Sequence, residues 1–182
     1  MKDPAPDLLE RCREHDPEAF ACLVREQQDY VYTLALRMLR DPEEAADLTQ
    51  EIFLRVWQAL PSFRGESRFT TWLYRIATNA CLNRLRELRL ELGTVSLEEV
   101  PAEVLPSSEA DPDREAWERE RNALLWGAVE RLRTGYRLVV TLFYQHGLPV
   151  AEIARVLGIP AGTVRTYLHR AREALAELLA RG

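Results

Sequence analysis

The segment from Leu148 to Arg172 carries side chains that could bind nucleic acid. It reads LPVAEIARVLGIPAGTVRTYLHRAR, and its apolar residues recur three and four apart on both sides of Gly158. Glycine suits a tight turn that needs a positive φ, and Pro160 is preset for the first turn of a second helix. This pattern predicts a helix-turn-helix.

The second helix of this motif is predicted to turn a polar face outward. Val164 and Leu168 are four residues apart and should face the core. The basic and hydrogen-bonding side chains on the opposite arc are Arg165, Thr166, His169, Arg170 and Arg172. Arginine can bind both acceptors of a guanine in the major groove, while Arg172 and Arg155 are expected to anchor phosphates. The alternative is an ordinary helical hairpin with a solvated basic face.

A second cluster, between residues 63 and 75, mixes aromatic rings with arginines. It reads FRGESRFTTWLYR, and stacking rings beside cations are what unpaired bases bind. An extruded base also needs a polar pocket that reads its edge. The residues predicted to hold an unpaired strand are Phe63, Arg64, Ser67, Phe69, Trp72, Asn79 and Asn83. The alternative is that Trp72 and Tyr74 are core aromatics beside a solvated basic face.

No pattern typical of an enzyme accompanies these clusters. The chain has no phosphate loop and no paired Ser/His/Asp arrangement, and His15, His146 and His169 lie in unrelated contexts. Cys12, His15 and Cys22 have poor spacing for zinc, with no fourth ligand. We therefore predict no catalysis, no cofactor and no metal.

Helices are expected to position both clusters. Apolar residues recur three and four apart from Phe20 to Met38, from Ala45 to Leu60, and from Phe69 to about Leu90. Asp41 fits an N-cap, with Pro42 at the first helical position. No strand-like alternation of useful length occurs, so the chain is predicted to be all-α.

A change of composition separates two helical units. Residues 91–122 carry 3 basic and 10 acidic side chains, whereas residues 123–182 carry 8 and 4. Prolines and acids without periodicity indicate a flexible linker, although the helical pattern returns from Arg114. We predict a helical domain over residues 1–90, an acidic linker over 91–122 and a helix-turn-helix domain over 123–182.

Length and composition exclude several other classes. The chain has 182 residues, of which 47% are hydrophobic and 29% charged, a globular balance. No apolar run approaches the roughly 18 residues that span a bilayer, and the start of the chain does not read as a signal peptide. Three cysteines without a disulfide spacing fit a reducing compartment. We therefore expect a cytoplasmic protein without membrane insertion.

Three stretches together resemble the extracytoplasmic-function sigma factors of bacterial RNA polymerase. They are DPEEAADLTQEIFLRVWQAL (41–60), SFRGESRFTTWLYRIATNACLNRLR (62–86) and GLPVAEIARVLGIPAGTVRTYLHRARE (147–173). The resemblance implies a transcription initiation factor whose first domain grips the polymerase and opens the minus-ten element. Its second domain would read the minus-thirty-five element through Arg165, Thr166, His169 and Arg170. The chain departs from the family pattern at residues 132–136, which read LRTGY.

The resemblance also implies partners. These are core RNA polymerase, through the clamp of its beta-prime subunit and the flap of its beta subunit, double- and single-stranded promoter DNA, and an anti-sigma factor. The partly apolar acidic stripe predicted to bind core polymerase is Asp47, Gln50, Glu51 and Leu54. A stand-alone helix-turn-helix regulator is the alternative, but it leaves the aromatic cluster and the acidic linker without a role.

Overall fold

The computed structural model describes residues 3–91 and 114–180 and, within them, confirms the all-α prediction with eight α-helices and no strand. The helices are α1 (Pro6–Arg13), α2 (Pro17–Leu39), α3 (Pro42–Ala59), α4 (Phe69–Glu91), α5 (Arg114–Glu130), α6 (Thr134–Val140), α7 (Val150–Leu157) and α8 (Ala161–Ala180). Most of the predicted linker lies outside the described residues, and its last part, from residue 114, is the start of α5.

The first unit is a bundle in which α2, α3 and α4 bury their apolar stripes against one another. Leu23, Leu34, Ile52 and Leu73 are completely buried there, and each buried aliphatic side chain contributes about 1.5–3 kcal/mol to the stability of the bundle. Truncating any one of them would leave a cavity between the helices. The bundle therefore fixes which side chains of α3 and α4 remain at the surface.

The boundary between α2 and α3 follows from local chemistry. Arg40 ends α2 in the left-handed conformation, with φ of 64°. Asp41 then caps α3 as predicted, because its Oδ1 accepts from the backbone N–H groups of Glu43 (2.9 Å) and Glu44 (3.1 Å).

Helix α1 was missing from the sequence prediction. It is only eight residues long, starts at Pro6 and packs on α2 with Cys12 completely buried. A helix this short is marginal alone, so tertiary packing stabilises it. A single buried position gives little periodicity from which to predict it.

The second unit contains the predicted helix-turn-helix. Helix α7 ends at Gly158, whose φ of +66° is the left-handed conformation that the turn needs. The Ile159 N–H donates to the Ala154 carbonyl at 3.1 Å across that turn. Helix α8 begins at Ala161, one residue after Pro160, and buries Val164 and Leu168 against α6 and α7.

The two units pack directly on each other. Helix α4 contacts α7, and α2 contacts α6 and the π turn Thr141–Gln145 that follows it. Arg137 of α6 is buried, and its Nη2 donates to the Met38 carbonyl at the end of α2 (3.1 Å). No helix in the described parts of the chain is long and apolar enough to cross a membrane.

His146 gives this contact a pH dependence. Its ring is buried between the units, with centroids 5.1 Å from Tyr74 and 6.3 Å from Tyr30. Burial lowers the pKa of His146 from 6.5 to about 4. The unfolded chain therefore protonates His146 more readily than the folded chain does. The contribution of neutral, buried His146 to the free energy of unfolding is complete above about pH 6.5 and is lost as the pH falls towards 4.

We expect the free energy of unfolding to drop by about 2 kcal/mol more between pH 8 and pH 5 in the natural chain than in a His146→Phe variant. Phenylalanine keeps an apolar ring in the same space but takes up no proton. Urea unfolding curves at the two pH values measure the difference. Equal losses in both proteins would show that His146 is not the responsible group.

Candidate nucleic-acid and partner interfaces

The outward face of α8 carries the residues predicted to read double-stranded DNA. Arg165, Thr166, His169 and Arg170 are all exposed, while Val164 and Leu168 of the same helix are buried. Arg172 and Arg155 are also exposed, the latter on α7. Four side chains at adjoining positions of one helix therefore face solvent together, as a major-groove surface requires.

Bonds within α8 orient part of this face. Thr166 Oγ1 donates to the Gly162 carbonyl (3.1 Å), so its methyl group and its oxygen lone pairs are left for DNA. Arg172 Nε donates to the Leu168 carbonyl (3.1 Å), which ties the stem of this side chain to the helix. His169 Nδ1 lies 3.7 Å from Glu173 Oε2.

The loop before α4 rests on a cluster of three rings. Phe63 and Phe69 are buried, Trp72 is half-buried, and their ring centroids lie 5.1–5.8 Å apart. Gly65 at the exposed tip has φ of +73°, a conformation that glycine adopts without strain. Phe63 and Phe69 thus support the loop, and Arg64 lies exposed beside its glycine tip.

Helix α4 continues this surface along one stripe. Trp72, Arg75, Asn79 and Asn83 are separated by three or four residues and so share one face. Arg75, Asn79 and Asn83 are exposed. Asn83 Oδ1 accepts from Arg86 Nη1 at 3.0 Å. The stripe offers an aromatic edge, a cation and two amides beside the loop.

The acidic stripe of α3 is also at the surface. Asp47 and Gln50 are exposed, and Leu54 keeps 63% of its surface accessible. An isolated apolar side chain between polar neighbours is ordinary at a protein surface, but here it lies on the predicted polymerase-binding face.

Arg84 of α4 neutralises part of that stripe. Its guanidinium pairs with Glu44 (2.8 Å) and with Glu51. Burial lowers the pKa of Arg84, but the Glu51 and Glu44 carboxylates outweigh this effect and the net shift is upward. The acidic and basic segments therefore meet at this residue, and Asp47 is the acid of the predicted stripe that remains exposed.

Cys12 and Cys81 lie in the packed core, whereas Cys22 is partly exposed and His15 is exposed. Burial raises the pKa of Cys12 to about 11 and that of Cys81 to about 12, which makes both thiols poor nucleophiles. The His15 ring packs edge-on against Trp57, with centroids 4.9 Å apart. Within the described residues, no group of three or more His, Cys, Asp or Glu is arranged to hold a metal.

Arg68 is a basic loop residue that the site prediction omitted. Its Nε bonds Asp3 (2.7 Å) and its Nη1 bonds Glu152 of α7 (3.1 Å). The Asp3 and Glu152 hydrogen bonds raise the pKa of this guanidinium. Its place in the loop was visible from the sequence, but partners 65 and 84 residues away were not.

Both helical units match domains of the same class of protein. Residues 23–91 match Sigma-70 region 2, and residues 122–175 match Sigma-70, region 4. The first match contains α4 and the acidic stripe, and the second contains the helix-turn-helix. The two domains, in this order, define an RNA polymerase sigma factor.

Curated relatives identify the branch of that class. The chain is 38% identical to the RNA polymerase sigma-H factor of Pseudomonas aeruginosa, covering 94% of this chain and 92% of the relative. It is 34% identical to the ECF RNA polymerase sigma factor SigW of Bacillus subtilis, with 94% of each chain covered. It is 35% identical to the ECF RNA polymerase sigma-E factor of Escherichia coli, over 92% and 90%.

Solved structures share the fold. CnrH in complex with the cytosolic domain of CnrY has a TM-score of 0.70 at 24% identity, with 96% of each chain covered. RpoE in complex with the anti-sigma factor NepR from Bartonella quintana has a TM-score of 0.69 at 21% identity, covering 88% of this chain and 96% of that one. The chain belongs to the ECF sigma factors, initiation factors that direct RNA polymerase to promoters.

Proposed function

We propose that this sigma factor binds core RNA polymerase through α3, holds the unpaired minus-ten strand with the 63–69 loop and α4, and reads the minus-thirty-five element with α8. The observation that carries the proposal is the exposed polar face of α8, which presents Arg165 and Arg170 above a buried Val164 and Leu168. The protein would act in the cytoplasm, where polymerase and DNA are found, without catalytic chemistry of its own.

Transcription by purified core polymerase tests this proposal. Core with the chain should produce specific transcripts from a promoter library, while core alone and the chain alone should not. Tight binding of the isolated chain to duplex DNA, without transcription when core is added, would instead support a stand-alone regulator.

The contact with polymerase is expected to centre on Asp47. Reversal of its charge, Asp47→Arg, should weaken core binding about tenfold or more, because like charges brought together at an interface cost several kcal/mol. The weakening should lie mainly in the association rate and should diminish at high salt. Stopped-flow binding to labelled core at low and high salt measures both effects.

Asp29→Arg is the matched control, since Asp29 is exposed on α2 of the same unit. Glu51→Arg also breaks the pair with Arg84, so its core binding is interpretable only beside an unfolding curve. Leu54→Ala tests the apolar part of the stripe at little cost to folding, because the side chain is mostly exposed. Unchanged affinity in both Asp47→Arg and Glu51→Arg would contradict the assignment.

An anti-sigma factor is the second partner that we propose. It would contact both helical units, residues 17–90 and 123–179, and hide the acidic stripe of α3. One solved structure of this fold, RpoE from Bartonella quintana, contains the anti-sigma factor NepR. Purification of the chain from its native cell under non-inducing conditions, followed by mass spectrometry, tests the idea. Recovery of polymerase subunits alone would contradict it.

A further inference from the structure

One guanidinium of α4 bridges two carboxylates of α3. Arg84 Nη1 donates to Glu44 Oε2 at 2.8 Å, and Arg84 Nη2 donates to Glu51 Oε1. Glu87 of the same helix lies beside the third nitrogen, with 3.5 Å between Arg84 Nε and Glu87 Oε2. The Arg84 side chain keeps only 21% of its surface accessible. Each nitrogen of this planar group therefore faces a carboxylate, and the group is fixed in one orientation.

The two bridged carboxylates flank Asp47 on α3. Glu44 precedes Asp47 by three residues and Glu51 follows it by four, so the three acids are neighbours on the surface of the helix. Glu44 and Glu51 keep 33% and 41% of their side-chain surface accessible. A carboxylate can accept about four hydrogen bonds, so both can bind a partner while Arg84 holds them. Arg84 thus orients the two acids on either side of the exposed Asp47.

Charge and geometry predict opposite effects of Arg84 on the binding of a partner. A surface that complements these three acids must itself be basic. The positive charge of Arg84 repels such a surface and slows its association. Holding Glu44 and Glu51 in place, however, removes an entropy loss on binding that otherwise weakens a complex about two- to tenfold for each immobilised side chain.

From this bridge, and resting on the proposed binding of core polymerase through α3, we propose that Arg84 is a positioning residue of the polymerase interface. Arg84 does not contact polymerase itself. It presents Glu44 and Glu51 to basic side chains of the partner, beside Asp47. Glu44, which precedes the predicted acidic stripe, is then a further residue of the interface.

The test replaces Arg84 by glutamine in the full chain and separates the two rates of binding to core polymerase. Stopped-flow mixing of the labelled chain with core gives the association rate, and displacement by excess unlabelled chain gives the dissociation rate. Arg84→Gln should leave association unchanged or faster and should speed dissociation at least about fivefold. Partial unfolding of the free variant would reduce the amount that binds but would not hasten release, so the dissociation rate distinguishes positioning from stability.

Arg55→Gln is the matched control, because it removes the same charge from α3 itself. Arg55 is exposed and approaches Glu51 at 3.5 Å, between Nη2 and Oε2. This variant should speed association as any lost cation does, without the fivefold faster dissociation. Equal dissociation rates in Arg84→Gln and Arg55→Gln would show that Arg84 contributes only its charge, which would overturn the proposal.

A background without the two carboxylates shows whether Arg84 acts through them. Adding Arg84→Gln to Glu44→Gln/Glu51→Gln should change the dissociation rate by less than about twofold, because nothing remains to be positioned. Further acceleration in that background, or a tighter complex with Arg84→Gln alone, would also overturn the proposal. If the natural chain does not bind core, or if Asp47→Arg leaves its binding unchanged, the proposed function fails and not only the role of Arg84.

Discussion

Transcription from a preferred promoter is expected to fall about 5- to 150-fold when Arg165 or Arg170 is replaced by alanine, equivalent to about 1–3 kcal/mol for a lost bidentate contact with guanine. Both side chains are exposed on α8 beside the buried Val164 and Leu168, so truncation removes a DNA contact without opening a cavity. The loss should be concentrated at one base pair of the minus-thirty-five element for each arginine. In-vitro transcription from a promoter library randomised across that element measures it.

Two further variants separate base reading from backbone binding. Arg172→Ala should weaken all promoters similarly and reduce the slope of the salt dependence, as expected for a phosphate contact. Arg131→Ala is the control, because Arg131 is exposed just after α5 and is not part of the helix-turn-helix segment. If Arg165→Ala and Arg170→Ala lower transcription evenly across every library member, α8 contacts only the DNA backbone and does not read bases.

Apart from α1, the helices of both units could be predicted from the sequence because their signals are local. The Asp41 cap, the Gly158 turn and the burial of Val164 and Leu168 each depend on residues within five positions of one another. At these points the predicted helix boundaries agree with those of the structure to within a residue or two. Short-range chemistry therefore sufficed for the fold class and for the outward face of α8.

The contacts that could not be predicted join residues that are far apart in the sequence. Arg84 neutralises Glu44 and Glu51, which lie 40 and 33 residues away. Arg37 binds Glu130 across 93 residues. Periodicity identifies which face of a helix is buried but not which helix covers it, so neither the mixed charge of the α3 stripe nor the contact between the units followed from the pattern.

The cluster of aromatic rings and arginines between residues 63 and 75 was predicted only in part. Interleaved aromatics and arginines indicated a stacking surface, but the structure buries Phe63 and Phe69 and leaves Trp72 at the edge of the ring cluster. Composition cannot distinguish a ring that supports a loop from one that meets solvent. Of the three rings, Trp72 is therefore the one best placed to touch a base.

Promoter opening is accordingly expected to depend strongly on Trp72. Trp72→Ala should reduce the equilibrium between melted and closed promoter about 5- to 150-fold, because one lost stacking contact costs about 1–3 kcal/mol. Trp72→Phe keeps a ring against Phe63 and should retain most of the opening. Permanganate reactivity of unpaired thymines, measured with core saturated by each variant, reports the melted fraction.

Loss of the ring cluster could also disturb the fold, so Trp57→Ala is the matched control. Trp57 is a half-buried tryptophan of the same unit, and it packs on Phe20 with ring centroids 4.7 Å apart. Its truncation should destabilise the bundle by a similar mechanism while leaving the loop intact. If Trp72→Ala binds core and still melts the promoter as fully as Trp57→Ala does, then Trp72 belongs to the core of the loop and another group receives the base.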